Sequence, residues 1–265
     1  MMKIIGLIAS GKMEAGTFLK NISVKKKLKI GQFDVYYFKL NTYEFFLIIC
    51  DKTMISARLA TSLLIEKVSP LLIVSFGIAG AIEEDVCIGD IICGNSVTMI
   101  ENGVFEQYIS LSIIPPDIRK FLLNQLIERK KRIFGGTIIT VNGEQAILDH
   151  SKIKFNHPVL DMETLGVAQA TSHQRIPLLS IRGITHNLAV QADTNLHTLF
   201  DFTWYYDKGL AKYRLLTQPW LLFRLIDFYR TKIKVSTQVS GTLYSMLQLL
   251  SFDHQKQNEN HDYQI

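Results

Sequence analysis

The chain has 265 residues, of which 48% are apolar and 20% charged, and a formal net charge of +5. This length and apolar content suit one α/β domain with a large core or two smaller domains. The mild basic excess fits an anionic ligand or an anionic membrane surface. The two short basic runs, residues 25–27 and 129–132, are too sparse for a nucleic-acid-binding protein. No run approaches the roughly 18 apolar residues of a membrane-spanning helix.

Residue types that build metal or disulfide sites are scarce. The three cysteines form no CxxC pair and are odd in number, so neither a disulfide framework nor a zinc site is expected. His150, His157 and His173 show no metal-ligand spacing, and we expect no metal and no cofactor. Free thiols in apolar runs are typical of a reducing compartment, so we expect a cytoplasmic protein, at most in contact with the inner face of the membrane.

Apolar, β-branched runs in the first 190 residues are typical of strands, and helical patterns separate some of them. The predicted strands are residues 3–9, 33–40, 43–50, 71–76, 90–98, 136–141, 158–161 and 178–183. The predicted helices are residues 56–67, 118–130 and 163–173. This alternation predicts a largely parallel sheet covered on both faces. The short connection Asn41-Thr42 predicts an antiparallel hairpin and hence a mixed sheet.

The sequence changes character after residue 195. Residues 213–235 combine aromatic and aliphatic residues with interspersed arginine and lysine, and residues 236–250 repeat apolar residues at helical spacing. The polar tail has the composition of a disordered segment. We therefore expect an α/β domain over residues 1–195, a helical extension packed on it over residues 196–253, and a disordered tail over residues 254–265.

Two interpretations of the aromatic-basic segment, residues 213–235, remain open. In the first, its broad apolar face packs on the sheet or on a partner subunit. In the second, the helix lies at a membrane surface, with its apolar residues in the lipid boundary and its arginine and lysine side chains toward the head groups.

Two short motifs carry most of the chemical information. A glycine turn, residues 75–80, follows an apolar run, and such turns bring backbone N–H groups close to a ligand. Met162-Glu163 follows one predicted strand and opens a predicted helix. Glu163 can accept hydrogen bonds from sugar hydroxyls while Met162 packs on the sugar ring. The pair indicates a nucleoside site, and a purely structural carboxylate is the alternative for Glu163.

Cleavage of a purine N-glycosidic bond gives a sugar with oxocarbenium character and a poor leaving group. An enzyme therefore uses an acid at a purine ring nitrogen, a carboxylate that holds the ribose hydroxyls, and phosphate or an activated water as nucleophile. Glu163 meets the second of these requirements.

Four segments resemble the nucleoside phosphorylase/nucleosidase superfamily. Residues 74–80 and 88–90 resemble its glycine turn and following strand. Residues 160–164 resemble its Met-Glu ribose motif. Residues 177–185 resemble the strand that carries its arginine and, just after it, its catalytic aspartate. The chain is most similar to the hopanoid-associated phosphorylases, also called adenosylhopane nucleosidases, and more distantly resembles methylthioadenosine/S-adenosylhomocysteine nucleosidases. The sequence Phe-Gly-Ile-Ala-Gly and the Asp161 before Met162 favour the former.

This resemblance implies a three-layer α/β phosphorylase/hydrolase-like fold with a twisted mixed central sheet. It also implies a homo-oligomer, a dimer in relatives, and a small nucleoside or nucleoside-lipid as ligand. By resemblance, Gly77 and Gly80 lie in a turn near the ribose or the nucleophile, and Arg182 lies near the site and positions carboxylates or an anion. Glu14 follows the first strand, where related nucleosidases keep a base for water. The alternative for Glu14 is a carboxylate that stabilises a helix start.

The chain departs from the family pattern at two places. His186 stands where the purine-protonating aspartate is found, and its imidazolium is a candidate acid. An ordinary solvated or ion-paired role for Arg182 and His186 is the alternative. In residues 50–54 two family glycines are missing, and Asp51 would repel phosphate unless Lys52 compensates. Both departures indicate weakened or altered catalysis.

Three functions follow from these residues and this resemblance. The first is release of adenine from an adenosyl-lipid, adenosylhopane-like nucleoside in hopanoid biosynthesis, with Glu163 on the ribose, His186 as the acid, and phosphate or water as nucleophile. The second is a catalytically silent member that binds a nucleoside or nucleoside-lipid. The third is a methylthioadenosine/S-adenosylhomocysteine-type nucleosidase.

Overall fold

The computed structural model describes residues 3–101, 104–111, 132–141, 153–191 and 220–261. The strands are β1 (Lys3–Ala9), β2 (Lys26–Ile30), β3 (Phe33–Leu40), β4 (Tyr43–Ile49), β5 (Leu72–Ala81), β6 (Ile91–Glu101), β7 (Val104–Ser110), β8 (Ile133–Val141), β9 (Val159–Asp161) and β10 (Leu178–Asn187). The helices are α1 (Lys12–Leu19), α2 (Met54–Val68), α3 (Thr164–His173), α4 (Leu188–Gln191) and α5 (Trp220–His261).

All ten strands form one mixed sheet. Its order is β10-β6-β8-β9-β5-β1-β4-β3-β2, β7 pairs with β6, and β10 also pairs with β5. That extra pairing closes β5, β10, β6, β8 and β9 into a ring, from which β1 to β4 extend as an open sheet. The pairs β1–β4, β1–β5, β5–β10, β6–β8 and β8–β9 are parallel, and the others are antiparallel. The predicted hairpin β3–β4 is confirmed.

Helices cover both faces of the sheet, as the predicted three-layer fold requires. On one face α2 and α3 pack on a core that includes Leu64, Ile73 and Leu165. On the other, α1 and α5 pack on a core that includes Phe18, Phe76 and Val239. The strands that lie between these layers are nearly continuous apolar runs because both of their faces are buried.

Helix α5 belongs to the core of the α/β unit. Gly183 of β10 lies directly under Val235 and Val239, and a Cβ at Gly183 would come within 2.5 Å of both side chains. Thr17 of α1 and Ser240 of α5 share a hydrogen bond of 2.8 Å between their hydroxyls. None of the helices in the described part of the chain has the length and apolarity to cross a membrane.

The segment predicted as a glycine turn is instead part of a strand. Residues 75–80 lie within β5, where Gly77 pairs with Arg182 and Gly80 pairs with both His186 and Leu160. Neither glycine has a positive φ. They are needed for close approach, because a Cβ at Gly77 would lie 2.8 Å from the Ser10 hydroxyl and one at Gly80 would collide with the His186 ring. Glycine sequences are typical of turns, but glycine also allows neighbouring groups to approach a strand closely.

The C-terminal helices also differ from the prediction. Over residues 220–250 a single helix, α5, runs through both predicted segments, and it continues to His261. Within it, Thr237 donates its hydroxyl to the Ile233 carbonyl, one turn earlier in the same helix. The predicted helix 118–130 and the domain boundary near residue 195 lie outside the described residues.

Candidate active site

The site is built around a buried ion pair between Arg182 of β10 and Asp161 at the end of β9. Both side chains are fully buried, and Arg182 Nε donates to Asp161 Oδ2 at 3.0 Å. Arg182 Nη2 also donates to the hydroxyls of Ser75 at 2.9 Å and Thr164 at 2.7 Å. Arg182 therefore holds neighbouring groups, and its donors point into the protein.

The same ion pair fixes where α3 begins. Asp161 accepts hydrogen bonds from the Thr140 hydroxyl at 2.7 Å and from the Thr164 N–H at 3.0 Å. It also contacts the Thr164 hydroxyl. Because both flanking residues are held, Met162 and Glu163 pass from β9 into α3 in a fixed conformation, with Glu163 as the residue preceding the helix.

Glu163 is a buried carboxyl group with few protein partners. It is 5% exposed, and its Oε2 accepts a 3.3 Å hydrogen bond from the Met162 N–H. Burial, and then the charge of Asp161, raise the pKa of Glu163 to about 8, although Arg182 and Lys52 lower it. At neutral pH this carboxyl group is mostly protonated, and it can both donate to one hydroxyl and accept from another.

Glu14 forms a second buried carboxylate close to the first, and its charge contributes to the raised pKa of Glu163. Glu14 is 1% exposed, and neither of its oxygens accepts a hydrogen bond from a described residue. Lys52 Nζ lies 3.4 Å from Glu14 Oε1. Both side chains cross over Gly11, where a Cβ would come within 2.7 Å of Glu14 Oε2 and 3.2 Å of Lys52 Cε. Glu14 thus lies in the first turn of α1 with a charge partner and with oxygens able to bind a ligand or water.

His186 lies four residues beyond Arg182 on β10, over Gly80 of β5. The Thr185 hydroxyl donates to the Ala79 carbonyl at 3.3 Å and lies 3.0 Å from His186 Nδ1. The imidazole is thereby held by Thr185 on its Nδ1 side, and its Nε2 lies directly over Gly80.

The charge state of His186 follows from its surroundings. Burial, with the nearby charge of Lys232, lowers the pKa of His186 to about 4. At pH 7 only about one molecule in a thousand would carry the imidazolium. This argues against the expectation that His186 protonates a purine.

The remaining predicted residues line the same region. Gly77 faces Ser10 and is the register partner of Arg182. Met162 is partly buried against a small apolar cluster that contains Ile82, Ile139 and Leu160.

The comparison with known proteins assigns the family. The family model of the Phosphorylase superfamily matches residues 3–212. The chain belongs to this superfamily. Among curated members, a 5'-methylthioadenosine/S-adenosylhomocysteine nucleosidase of Staphylococcus epidermidis is 24% identical over 213 residues, which cover 75% of this chain and 92% of the relative. The enzyme of the same name from Buchnera aphidicola subsp. Schizaphis graminum is 26% identical over 197 residues, which cover 69% and 82% of the two chains.

Solved structures of this superfamily share the fold. The S-adenosylhomocysteine nucleosidase from Streptococcus pyogenes in complex with 5-methylthiotubericidin has a TM-score of 0.71 at 18% identity, covering 94% of this chain and 97% of its own. The native futalosine hydrolase of Helicobacter pylori strain 26695 has a TM-score of 0.70 at 14% identity, covering 93% and 97%. These likenesses confirm the predicted α/β fold with its mixed central sheet.

One side chain near this site, Lys232 of α5, was not among the site residues predicted from the sequence. It is 6% exposed, and its ammonium lies 4.1 Å from the centroid of the Phe228 ring. Phe228, Lys232, Val235 and Val239 follow one another at helical spacing, so a single lysine interrupts an apolar stripe. That pattern indicates a buried cation, and it was available in the sequence.

One further group of polar side chains lies outside the superfamily site. His157 Nδ1 is 3.1 Å from Glu83 Oε2 and 3.9 Å from Asp85 Oδ2, although the sequence spacing of His157 suggested no such grouping. Their potential ligand atoms all lie within 4.8 Å of one another. All three side chains are partly or largely exposed, and we assign them no role in the reaction.

Proposed function

We propose that this protein hydrolyses the N-glycosidic bond of a 5'-substituted adenosine and releases adenine. The observation that carries the proposal is the presence of two buried carboxyl groups, Glu163 at 5% exposure and Glu14 at 1%, with the Lys52 ammonium 3.4 Å from Glu14. Neither group is used up by hydrogen bonds from the described residues, since Glu14 accepts none and Glu163 accepts one from its neighbour. Two such groups at a strand-to-helix junction need a polar ligand.

In this proposal Glu163 holds the ribose. Its carboxyl group can donate to one ribose hydroxyl and accept from the other, and Met162 packs on the sugar ring. Asp161 and Arg182 do not contact the substrate. They fix the start of α3 and so hold Glu163 in the position that the ribose requires.

Glu14 is the proposed general base for water. Lys52 keeps a positive charge beside it, and a carboxylate so placed can take a proton as water attacks C1' of the sugar. The Lys52 charge is already matched by Glu14 and the Arg182 charge by Asp161, so neither cation carries an unbalanced positive charge for a phosphate. These charges favour hydrolysis over phosphorolysis.

The proposed class of substrate depends on which part of the site binds the sugar and which part binds the base. Gly77 and Gly80 are three residues apart on β5, or about 10 Å in an extended strand, which is comparable to the length of a nucleoside. The ribose lies near Gly77 and Glu163, and the base lies near Gly80 and His186. The matched superfamily members named 5'-methylthioadenosine/S-adenosylhomocysteine nucleosidase make a thio-substituted adenosine the first substrate to test.

A second candidate substrate is an adenosyl-lipid of the adenosylhopane type. The observation that favours it is a set of exposed apolar side chains on α5, the helix that also covers His186. These side chains are Phe223, Ile226, Tyr229 and Ile233. They could contact the hydrocarbon part of such a nucleoside or the membrane that holds it.

The proposal is tested by measuring adenine release from 5'-methylthioadenosine, S-adenosylhomocysteine and an adenosylhopane-type nucleoside, each with and without phosphate. We expect release that does not depend on phosphate and that falls at least about 100-fold in Glu163→Gln and Glu14→Gln. Glu66→Gln, an exposed site on α2, is the matched control. Tight nucleoside binding without adenine release would instead establish the catalytically silent alternative.

A further inference from the structure

The base end of the site contains one described cation, Lys232. Its ammonium lies 4.1 Å from the Phe228 centroid, and the Phe228 ring meets the His186 ring edge to face at 6.1 Å between centroids and 69° between planes. Lys232, Phe228 and His186 therefore form one cluster. Phe228 packs against both of the other side chains, and the charge of Lys232 acts on His186.

The packing of α5 on β10 determines where this cluster lies. Val235 and Val239 cover Gly183. Lys232 and Phe228 lie one and two turns toward the start of α5, and His186 lies three residues toward the end of β10. Helix α5 therefore runs antiparallel to β10, and Lys232 lies near the end of β10, where Gly80 and His186 meet.

The chemistry proposed for this protein needs an acid at that place. When the N-glycosidic bond breaks, negative charge develops on the purine, and a proton on a ring nitrogen makes the purine a better leaving group. His186 cannot supply the proton efficiently, because burial and the charge of Lys232 keep its ring neutral and its Nε2 lies packed over Gly80. Lys232 carries transferable protons on a flexible stem.

We propose that Lys232 is the catalytic acid that protonates the leaving purine, a role that rests on the proposed hydrolysis. In the step, the C1'–N9 bond breaks and its electron pair moves to the purine, while a proton passes from Lys232 Nζ to a purine ring nitrogen. Water adds to C1' and gives its proton to Glu14. The net reaction is nucleoside plus water to ribose derivative plus adenine, and solvent returns the proton from Glu14 to Lys232.

Phe228 and His186 support this role. The π face of Phe228 stabilises the ammonium inside a largely dry site. A neutral His186 places no second positive charge beside Lys232.

The test compares two leaving groups. Lys232→Met, which roughly conserves volume, is assayed on 5'-methylthioadenosine, whose purine needs a proton, and on 4-nitrophenyl riboside, whose nitrophenolate does not. We expect a loss of about 10²- to 10⁴-fold in kcat on the first and a change of less than about threefold on the second. Lys234→Met, an exposed lysine on the same helix, should leave both rates unchanged.

Lys232→Arg separates proton transfer from charge. Arginine keeps the positive charge but is a far weaker acid, so the purine substrate should again lose activity while the nitrophenyl substrate does not. Equal losses on both substrates, or full activity of Lys232→Met on the purine, would overturn the proposal. A wild-type protein that cleaves neither substrate would overturn the proposed hydrolysis itself, which is a distinct result.

Discussion

Lys52 and Glu14 form an ion pair across the ends of two neighbouring parallel strands. Lys52 follows β4, Glu14 lies in the first turn of α1 after β1, and their charged atoms are 3.4 Å apart. The Glu14 side chain is 2% exposed and that of Lys52 29%, so the lysine shields the carboxylate from solvent on one side. This pair gives the proposed base a fixed position.

We expect Lys52→Met to lower activity and to change its pH dependence. Without the lysine, Glu14 loses its charge partner, and kcat should fall roughly ten- to hundredfold. The Lys52 charge also lowers the pKa of Glu163, so its removal raises that pKa further above about 8. A limb of the pH–rate profile that reports Glu163 should move to higher pH. Lys67→Met, an exposed change at the end of α2, is the control, and an unshifted profile would contradict the assignment.

Gly11→Ala tests the space around the ion pair. A Cβ there would lie 2.7 Å from Glu14 Oε2, so the carboxylate has to move, while the backbone φ of 163° is extended and allows alanine. We expect a large loss of kcat with little change in melting temperature. Gly16→Ala, in the same helix with no atom within 4 Å of the new Cβ, should keep full activity and gain up to about 1 kcal/mol in stability. Equal activity in the two variants would contradict this account of Gly11.

Glu163→Gln should raise stability at alkaline pH. Between the reference pKa of 4.5 and about 8, folded Glu163 keeps a proton that the unfolded chain has lost, so the free energy of unfolding falls as pH rises. Glutamine does not titrate and removes that fall. The difference in unfolding free energy between variant and wild type, measured in urea, should therefore grow in favour of the variant from pH 5 to pH 8. A constant difference over that interval would show that Glu163 does not titrate with a raised pKa.

The sequence predicted the strands best where both faces are buried. Residues 3–9 match β1 and residues 43–50 match β4 to within one residue, because apolar runs of this length have few alternatives. Lys26–Ile30 was missed because it is the edge strand of the sheet, where exposed lysines are tolerated and pairing comes from the backbone. The glycines of β5 were assigned to a turn because the sequence does not show which side chains approach them.

The sequence predicted only part of the site, because it does not show which distant residues come into contact. Glu163 and Arg182 stand in motifs that can be recognised locally, whereas the pairing of Glu14 with Lys52 depends on the order of strands β1 and β4. Lys232 meets His186 only through the docking of α5 on β10. The neutral state of His186 follows from its burial and from the charge of Lys232, and no sequence pattern shows either of them.

Arg182→Met should destabilise the protein without acting on the chemical step directly. Removal of the guanidinium leaves Asp161 buried with an uncompensated charge, which costs about 3–5 kcal/mol of unfolding free energy. The start of α3 loosens as a consequence, and Glu163 loses its fixed position. Arg182→Met paired with Asp161→Asn should recover part of that stability, because the unpaired charge is then removed. Urea unfolding of the two single variants and the double variant measures the coupling, and strictly additive losses would show that the two side chains do not act as a pair.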